Sequence, residues 1–450
     1  MQVIQENKKI PGPKGKPIVG DLTNFKNDRL GYLKSLRDYG DIVRTKLANR
    51  ELIFLFNPDD IKYVLATNHA NYHKAKQYKH IKAVLGQGLV TTEDEVWRRH
   101  RQIIQPVFHS NQLKDYIAEF NNITKEFIQS WDQKGILNNF SEMSALTANI
   151  VTKTILGSDI ELDANLICEA VSFLILHIQK QAQALVNIPH SIPTGENRGY
   201  NKNMKFINTI VDKMIEKHKQ STNKSNDIMS RLMMVTGSDT EQPLSDSELR
   251  DEIRTFFLAG HETSATALTW TLYLLARNKH VTQKMIEEIH SVLGKDRDPI
   301  FDDLQDLKYV EQVINETIRL YPPIYFFSRT PLKEDNIRGY PIPVGSSVVA
   351  CQWVTHRDPA LWDEPDIFKP ERMEEEKLKS MHKYAFFPFG GGPRTCIGKH
   401  FAVMEMKIIL AKIFQSHYVE LQIDEGIKAE PYFTLRPEKE INLIFKKQAN

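Results

Sequence analysis

Cys396 has the surroundings most specific for chemistry in this chain. It ends the glycine-rich stretch Phe389-Gly-Gly-Gly-Pro-Arg-Thr-Cys, and Gly398 follows two residues later. Glycines such as Gly392 and Gly398 let the backbone turn tightly and approach a flat macrocycle. Arg394 offers a planar cationic fork for a carboxylate of such a ring, and the cysteine can supply a thiolate ligand. A cysteine in a loop is also an ordinary small apolar residue, so this stretch alone leaves both interpretations open.

A second pattern, Ala259-Gly-His-Glu-Thr, lies in the longest apolar part of the sequence. Gly260 costs roughly 1 kcal/mol relative to alanine inside a helix, and close approach of a flat group to the backbone is one reason to keep it. The Thr263 hydroxyl can accept or donate a proton beside that gap, and Glu262 can relay protons to it. A packing notch with a polar lining explains the same residues equally well.

Two pairs of charged or aromatic residues and one further arginine complete the set. Trp97 and Arg101 are one helical turn apart, so an indole N–H and a guanidinium can address the same carboxylate. Glu316 and Arg319 share a helical face, and Arg372 follows in Pro370-Glu-Arg-Met. Taken by itself, a Glu–Arg pair at this spacing is most often an exposed pair of little energetic weight.

Together these elements resemble the cytochrome P-450 family of haem-thiolate monooxygenases. The cysteine stretch matches the family pattern FxxGxRxCxG, and the others resemble AGxET, WxxxR, ExxR and PER in the family's order. Met373 stands where the family's PERF motif has Phe. The resemblance implies a mainly α fold with a small β region, in which haem b binds between the long central helix and the cysteine loop. It also implies one haem-binding monooxygenase domain over residues 21–450, preceded by a Pro/Gly-rich segment over residues 1–20.

The resemblance assigns roles to individual residues. Cys396 is expected to ligate the haem iron, an arrangement that favours cleavage of the O–O bond of dioxygen. The other expected haem contacts are Lys79, Trp97, Arg101, Arg329, Phe389, Arg394 and Gly398. The residues expected to activate oxygen and move protons are Ala259, Gly260, Glu262 and Thr263. Glu316, Arg319 and Arg372 are expected to support the cysteine loop structurally.

The expected reaction inserts one atom of dioxygen into a lipophilic substrate such as a fatty acid, terpenoid or steroid. The residues expected to contact that substrate are Phe256, Ile324, Tyr325, Phe326, Phe433 and Thr434. Electrons are expected to come from NAD(P)H through a separate ferredoxin- or flavodoxin-type donor, which a basic surface at Arg98, Arg99 and Lys399 would suit. A peroxide-using haem-thiolate peroxygenase and a non-catalytic haem sensor are alternatives; Glu262-Thr263 argues against the peroxygenase, which usually has an Arg and Pro there.

Composition narrows the remaining possibilities. Hydrophobic residues are 41% and charged residues 26% of the 450 residues, which are ordinary globular values. With 59 Lys+Arg against 57 Asp+Glu, the net charge of +2 gives no general case for binding nucleic acid. The three cysteines, Cys168, Cys351 and Cys396, lack CxxC spacing. Because no apolar run near the amino terminus could serve as an anchor or signal core, we expect a soluble protein. The cysteine pattern fits a reducing, cytoplasmic setting. We also expect a monomer without a fused reductase, since the sequence has no flavin or iron–sulfur motif.

Hydrophobic spacing predicts the elements that position these residues. Ser245 and Glu248 form a capping-box pattern that begins a helix ending near Arg277. Other helices are predicted at Gln112–Trp131, Met204–Lys219 and Tyr309–Tyr321, and strands at Ile42–Lys46, Glu51–Phe56, Ser347–Cys351 and Ile441–Phe445. Asn187–Tyr200 is predicted to be a loop, and in the family this position resembles the lid over the substrate entrance.

Overall fold

The computed structural model describes residues 8–156, 164–184, 188–220, 229, 232 and 244–448. Within them the chain is mainly helical with several small sheets, which confirms the predicted fold class. The α-helices are α1 (Leu22–Asn27), α2 (Arg29–Leu36), α3 (Pro58–Lys62), α4 (Tyr78–Leu85), α5 (Asp94–Ile104), α6 (Ser110–Leu113), α7 (Ile117–Lys134), α8 (Asn139–Leu156), α9 (Ala164–Gln183), α10 (Gly195–Gln220), α11 (Asp246–Arg277), α12 (Lys279–Leu293), α13 (Lys308–Leu320), α14 (Gln352–Thr355), α15 (Glu375–Ser380) and α16 (Lys399–Ser416).

The strands form four sheets. In chain order they are β1 (Ile42–Leu47), β2 (Arg50–Leu55), β3 (Tyr72–Lys74), β4 (Ile136–Asn138), β5 (Phe327–Pro331), β6 (Asp335–Ile337), β7 (Tyr340–Ile342), β8 (Ser347–Ala350), β9 (His417–Leu421), β10 (Ala429–Pro431), β11 (Leu435–Pro437) and β12 (Asn442–Lys447). The largest sheet has the order β1-β2-β8-β5-β3, in which β2 and β8 are parallel and the other pairs antiparallel. The others are β4-β12-β9 and the two-stranded β6-β7 and β10-β11.

The chain divides into two compact units. The first, here called the cysteine unit, contains Met1–Tyr78 and Ile318–Cys396, of which residues 1–7 lie outside the described residues. Its core packs alternating apolar side chains of the five-stranded sheet, such as Ile53 and Val348, against Tyr384 and Phe387. Because Phe387 leads directly into the stretch that ends at Cys396, this core reaches the base of the cysteine loop.

The second unit, here called the helical unit, contains Lys79–Thr317 and Ile397–Asn450. It holds α5 and α7–α12 together with α16 and the sheet β4-β12-β9. The antiparallel hairpin β10–β11 also belongs to it, with Ala429 opposite Pro437 and Pro431 opposite Leu435. The predicted boundary between residues 1–20 and 21–450 stays a prediction.

Helix α11 is the central element of the helical unit. It has 32 residues, and the predicted capping box is present, because the Ser245 hydroxyl accepts from the Glu248 N–H while the Glu248 carboxylate accepts from the Ser245 N–H. Most of the helix is buried, but Ala259 is exposed and Gly260 and Thr263 are half-buried. Those three positions share one face, so a short strip of this buried helix is open. Four threonine hydroxyls in the same region donate to the carbonyl four residues earlier: Thr263 to Ala259, Thr266 to Glu262, Thr269 to Ala265 and Thr271 to Ala267.

Most of the predicted elements are confirmed, although α10 begins nine residues before the predicted Met204 and α7 five residues after the predicted Gln112. The predicted helices correspond to α7, α10, α11 and α13, and the four predicted strands to β1, β2, β8 and β12. The loop prediction at Asn187–Tyr200 is wrong from Gly195 onward, where α10 begins, and Asn187 lies outside the described residues. Thr194 explains the earlier start, because its hydroxyl accepts from the Asn197 N–H and caps the helix. Among the described helices, none combines the length and apolar character needed to cross a membrane.

Candidate functional site

The cysteine loop is folded by its own backbone. The Cys396 N–H donates to the Phe389 carbonyl at 2.9 Å, and the Gly390 N–H donates to the Phe387 carbonyl at 2.9 Å. A further turn closes where the Thr395 N–H meets the Gly392 carbonyl at 3.1 Å. Cys396 itself is exposed. The loop therefore presents a sulfur at a fixed place on the cysteine unit, two residues before Gly398 caps the eighteen-residue α16.

Two glycines explain why this loop needs residues without side chains. Gly392 has φ +65°, and a Cβ there would lie 2.0 Å from the Leu65 carbonyl oxygen. Gly391 packs so closely on the Tyr384 ring that a Cβ would lie 2.4 Å from it. Gly398 differs from what the sequence suggested, because its φ is −86° and the nearest atom to an added Cβ is 4.0 Å away. The tight turn therefore lies at Gly392, and Gly398 is needed there neither for its φ nor for space.

Two buried polar residues that the sequence did not point to fasten the base of the loop. His356 is fully buried, and its Nε2 accepts from the Phe387 N–H at 3.1 Å. Gln352, also fully buried, donates through Nε2 to the carbonyls of Phe387 and Pro388 at 3.1 and 3.2 Å. Burial lowers the pKa of His356 well below its ordinary value, and the cations of Arg319 and Arg357 act in the same direction. His356 is therefore a neutral acceptor at physiological pH.

The arginines predicted to support the loop gather around backbone carbonyls. Arg319 is fully buried and donates to the carbonyls of His356 at 2.6 Å and Pro365 at 2.7 Å. Arg319 and Arg372 both donate to the Ile367 carbonyl, at 3.4 and 3.3 Å. Glu316 is also fully buried on α13. The exposed-pair interpretation of Glu316 and Arg319 is therefore wrong, and Arg319 connects to the cysteine loop through His356.

The open strip of α11 contains one position where a side chain would be crowded. A Cβ at Gly260 would meet Cγ2 of Val151 on α8 at 3.3 Å, so the glycine relieves a tight contact with that helix. The Thr263 hydroxyl donates to the Ala259 carbonyl at 2.7 Å, which leaves its oxygen lone pairs able to accept a proton. Ala259, Gly260 and Thr263 thus share the open strip, as the sequence suggested.

Glu262 lies on a different side of α11, in a buried ion pair. Its carboxylate Oε1 accepts from the Thr434 hydroxyl and from Arg436 Nε, both at 2.7 Å. Beside it, burial lowers the pKa of His261 to about 4, and Nε2 of that neutral ring lies 3.5 Å from the Cys168 sulfur. The sequence did not identify Arg436 as a functional residue. Its place two residues after Thr434, a predicted substrate contact, was the one indication that it lies near this site.

The cationic and indole candidates for haem carboxylates lie in several elements. Trp97 and Arg101 are half-buried on α5, as their spacing predicted, and Arg101 Nε donates to Gln105 Oε1 at 3.1 Å. Arg329 on β5 is buried, and Lys79 on α4 is exposed. Arg394 is half-buried in the cysteine loop. Their contacts with a haem stay predictions.

Two arginines of the predicted basic surface form ion pairs with acidic residues of this chain. Arg98 pairs with Glu95 on α5, and Arg99 pairs with Glu248 at the start of α11. Lys399 is exposed at the first position of α16. The two arginines are therefore locally neutralised, and the surface is less basic than the sequence suggested.

The predicted substrate contacts differ in how they are packed. Phe256 is buried on α11 with its ring 5.4 Å from that of Phe108, and Phe433 is half-buried. Tyr325 is buried in the cysteine unit, where its hydroxyl accepts from Arg29 at 3.4 Å, and Ile324 and Phe326 beside it are half-buried. Thr434 is fully buried and engaged with Glu262.

The side chains present suit a metal ion that is already bound in a cofactor. Among the described residues, no group of three or more His, Cys, Asp or Glu side chains could hold a bare metal ion. Iron in a macrocycle needs only an axial donor from the protein, and Cys396 is a suitable exposed thiol. The turn at Gly392 in the cysteine unit and, separately, the incompletely buried strip of α11 in the helical unit each suit a flat group. These residues fit a thiolate-bound haem.

Comparisons with known proteins agree with this fit. The family model described as Cytochrome P450 matches residues 10–445. Cyclooctatin synthase from Streptomyces melanosporofaciens is 31% identical over 403 residues, which cover 89% of this chain and 88% of that protein. Cyclooctat-9-en-7-ol 5-monooxygenase from the same organism is 30% identical over 404 residues, covering 89% and 87%. Cytochrome P450 4V2 from Homo sapiens is 28% identical over 466 residues, covering 96% and 88%.

Proposed function

This chain belongs to the cytochrome P450 family and is a haem- and oxygen-using monooxygenase, and from this premise we propose that it oxidises a terpenoid-like substrate. The observation that carries the catalytic assignment is the exposed Cys396 on a loop closed by its own backbone and fastened at its base by His356 and Gln352. The names of the two Streptomyces relatives favour a terpenoid over a fatty acid or steroid.

Haem, when bound, supplies the oxygen-activating chemistry, and the chain supplies ligand, orientation and protons. The Cys396 thiolate would ligate the haem iron. The proposed partners of the haem carboxylates and ring are Lys79, Trp97, Arg101, Arg329, Phe389, Arg394 and Gly398. A guanidinium or indole N–H donates to a carboxylate in a fixed direction, so these residues would set the orientation of the ring.

Protons would pass along α11. The Thr263 hydroxyl can accept a proton on its oxygen and release the proton it already carries. It now donates that proton to the Ala259 carbonyl, and it can turn to donate elsewhere. Glu262 would receive protons from water and pass them to Thr263. Ala259 and Gly260 contribute by leaving the backbone open on that strip.

The substrate would be held by apolar contacts. We propose Phe256, Ile324, Tyr325, Phe326, Phe433 and Thr434 as the residues nearest to it. Half-buried side chains such as Phe326 and Phe433 are better placed for contact than Tyr325, whose hydroxyl is engaged with Arg29. An apolar site with few polar donors selects by shape and volume more than by hydrogen bonding.

Electrons would reach the chain from NAD(P)H through a separate ferredoxin- or flavodoxin-type protein. Lys399 is the proposed centre of the donor contact, because it is exposed at the first position of α16. Association with an acidic donor would weaken as ionic strength rises.

The experiment that tests this proposal is a ligand titration of the haem-loaded protein with three matched panels: cyclic diterpene alcohols, fatty acids and steroids. Binding that displaces water from the iron shifts its spin state and its visible absorption. We expect the shift with the terpene panel, followed by product when a ferredoxin or flavodoxin with its reductase is supplied. A spin shift confined to fatty acids or steroids overturns the substrate class. Turnover with peroxide but not with any donor protein favours a peroxygenase.

A further inference from the structure

The Glu262 carboxylate is held by one oxygen only. Oε1 accepts both available hydrogen bonds, from Thr434 and Arg436. Oε2 is buried and has no hydrogen-bond partner in the part of the chain that the structure describes. The Glu262 side chain is 2% exposed and that of Arg436 is 12% exposed. Because Oε1 already accepts from two donors, a proton that enters or leaves this group does so at Oε2.

Both donors come from one strand and the turn before it. Thr434 ends the turn of the β10–β11 hairpin and Arg436 lies on β11. Between them, the Leu435 carbonyl accepts from Trp270 Nε1 at 2.7 Å. Since Trp270 is eight residues after Glu262 on α11, the strand is fastened to the same helix about two turns away. The backbone of β11, and not a side-chain rotamer alone, sets the distance from the donors to the acid.

Arg436 is also fixed by two other helices. Its guanidinium carbon lies 4.5 Å from the centre of the Phe140 ring on α8, and Nη2 donates to the Ser172 hydroxyl on α9 at 3.4 Å. A guanidinium bound on three sides cannot turn away from Glu262 without losing those contacts. Of the ionisable neighbours on α11, His261 is neutral at physiological pH, so Arg436 supplies the compensating charge for the buried carboxylate.

We propose that Thr434 and Arg436 are positioning residues that keep Glu262 a carboxylate and direct its Oε2 to receive protons for Thr263, an inference that rests on the proton-delivery role proposed above. Solvent supplies one proton to Oε2, and the same oxygen gives one proton to the Thr263 hydroxyl oxygen as that hydroxyl passes its own proton on. The net result is the movement of one proton from solvent through Glu262 and Thr263, and the carboxylate is restored after each transfer. Without the guanidinium, the buried carboxylate would lack a compensating charge, which favours its protonated form.

Infrared difference spectroscopy on the purified protein at pH 7 reads this protonation state without turnover. Two difference spectra are compared. When the spectrum of the double variant R436M/E262Q is subtracted from that of R436M, we expect the C=O band of a neutral Glu262 carboxyl. When the spectrum of E262Q is subtracted from that of wild type, we expect no such band. Arg436→Lys, which keeps the charge, is expected to lack the band as well. The other buried acids, such as Glu405, are the same in both members of each pair, so their bands cancel. A band in wild type, or none in R436M, overturns the proposal.

A second measurement follows the pH dependence of product formed per NAD(P)H consumed, with the donor system and substrate identified by the titration above. In R436M we expect the midpoint of this dependence to move up by about one pH unit or more, and in R436K to return towards wild type. Thr266→Val, which removes a hydroxyl bonded to the Glu262 backbone carbonyl and leaves both donors to its carboxylate, is the control expected to keep the wild-type midpoint. Should R436M fail to fold, Arg436→Gln, which also removes the charge but keeps a polar side chain, replaces it and is expected to show the same band at pH 7; no band in folded R436Q overturns the inference.

These two measurements separate the inference from the function on which it rests. A missing band in folded R436M that still forms product removes the positioning role and leaves the monooxygenase intact. The expected band with unchanged pH dependence shows that Glu262 does not deliver protons, which overturns both the relay role and the direction of Oε2 towards Thr263.

Discussion

The two regions predicted to carry the chemistry are held by different kinds of interaction. The cysteine loop is fastened by backbone carbonyls, by the amide Gln352 and by the neutral ring of His356, none of which changes charge near neutral pH. Helix α11 and its neighbour α16 instead carry buried acids, Glu262 paired with Arg436 and the fully buried Glu405. The difference indicates that these contacts at the base of the cysteine loop do not titrate near neutral pH, whereas the helix side carries a buried acid, Glu405, with a raised pKa.

The largest expected effect comes from removing the sulfur itself. Cys396→Ala is expected to abolish oxygenation and the thiolate-type Soret band of the reduced, carbon monoxide-treated protein. The free energy of unfolding of the haem-free chain should change little, because Cys396 is exposed. Cys351→Ala is the control: burial raises the pKa of that thiol to about 12, so it is not a ligand, and the band should persist. A persistent thiolate band in Cys396→Ala contradicts the assignment.

Glu405 tests whether the helix side is sensitive to pH. Burial raises the pKa of Glu405 to about 8 from its ordinary value of 4.5, and the Ser264 hydroxyl offsets this only partly. Because the folded protein holds this proton more tightly than the unfolded chain, the contribution to stability is full below pH 4.5 and is lost as pH rises to about 8. The loss amounts to about 5 kcal/mol.

Glu405→Gln is neutral at every pH and should remove that part of the pH dependence. The measurement is the free energy of unfolding by denaturant between pH 5 and 9, compared between wild type and the variant. Parallel curves for the two proteins would show that this carboxyl does not titrate in the window.

Arg319 tests how firmly the cysteine side is held. Arg319→Met leaves the carbonyls of His356 and Pro365 without their donor and removes a buried cation, for an expected loss of about 4 kcal/mol. Arg372→Met is the control, because Arg372 is only half-buried and should cost about 1 kcal/mol. Chemical denaturation of both variants checks the order. Equal losses of unfolding free energy in the two variants would contradict the larger contribution expected of the buried Arg319.

The smallest expected effect concerns the turn before the sulfur. Gly392→Ala forces a side chain onto φ +65° and towards the Leu65 carbonyl, and should cost about 3 kcal/mol. Gly426→Ala, where an added Cβ meets nothing within 4 Å, should change stability by less than about 0.5 kcal/mol. Thermal unfolding measures both. If Gly392→Ala loses the haem-thiolate spectrum and Gly426→Ala keeps it, the turn at Gly392 also positions the sulfur.

Local sequence patterns predicted the parts of the molecule that depend on neighbouring residues. The Ser245 capping box could be predicted because its two hydrogen bonds join residues three apart, and the cysteine loop because its turns are closed within a few residues. Arg436 could not be predicted as a partner of Glu262, which lies 174 residues earlier. The role of His356 could not be predicted for the same reason, because Phe387, whose N–H it accepts from, lies 31 residues later in the sequence.

Four of the five threonines of α11, those from Thr263 to Thr271, have a mechanical consequence. Each of their hydroxyls shares a carbonyl that already accepts a helical N–H, which weakens that backbone hydrogen bond and often bends a helix. A 32-residue helix is about 48 Å long, so a bend of about 5° at its middle displaces each end by about 2 Å. The segment that carries Gly260 and Thr263 is therefore a place where the helix can bend.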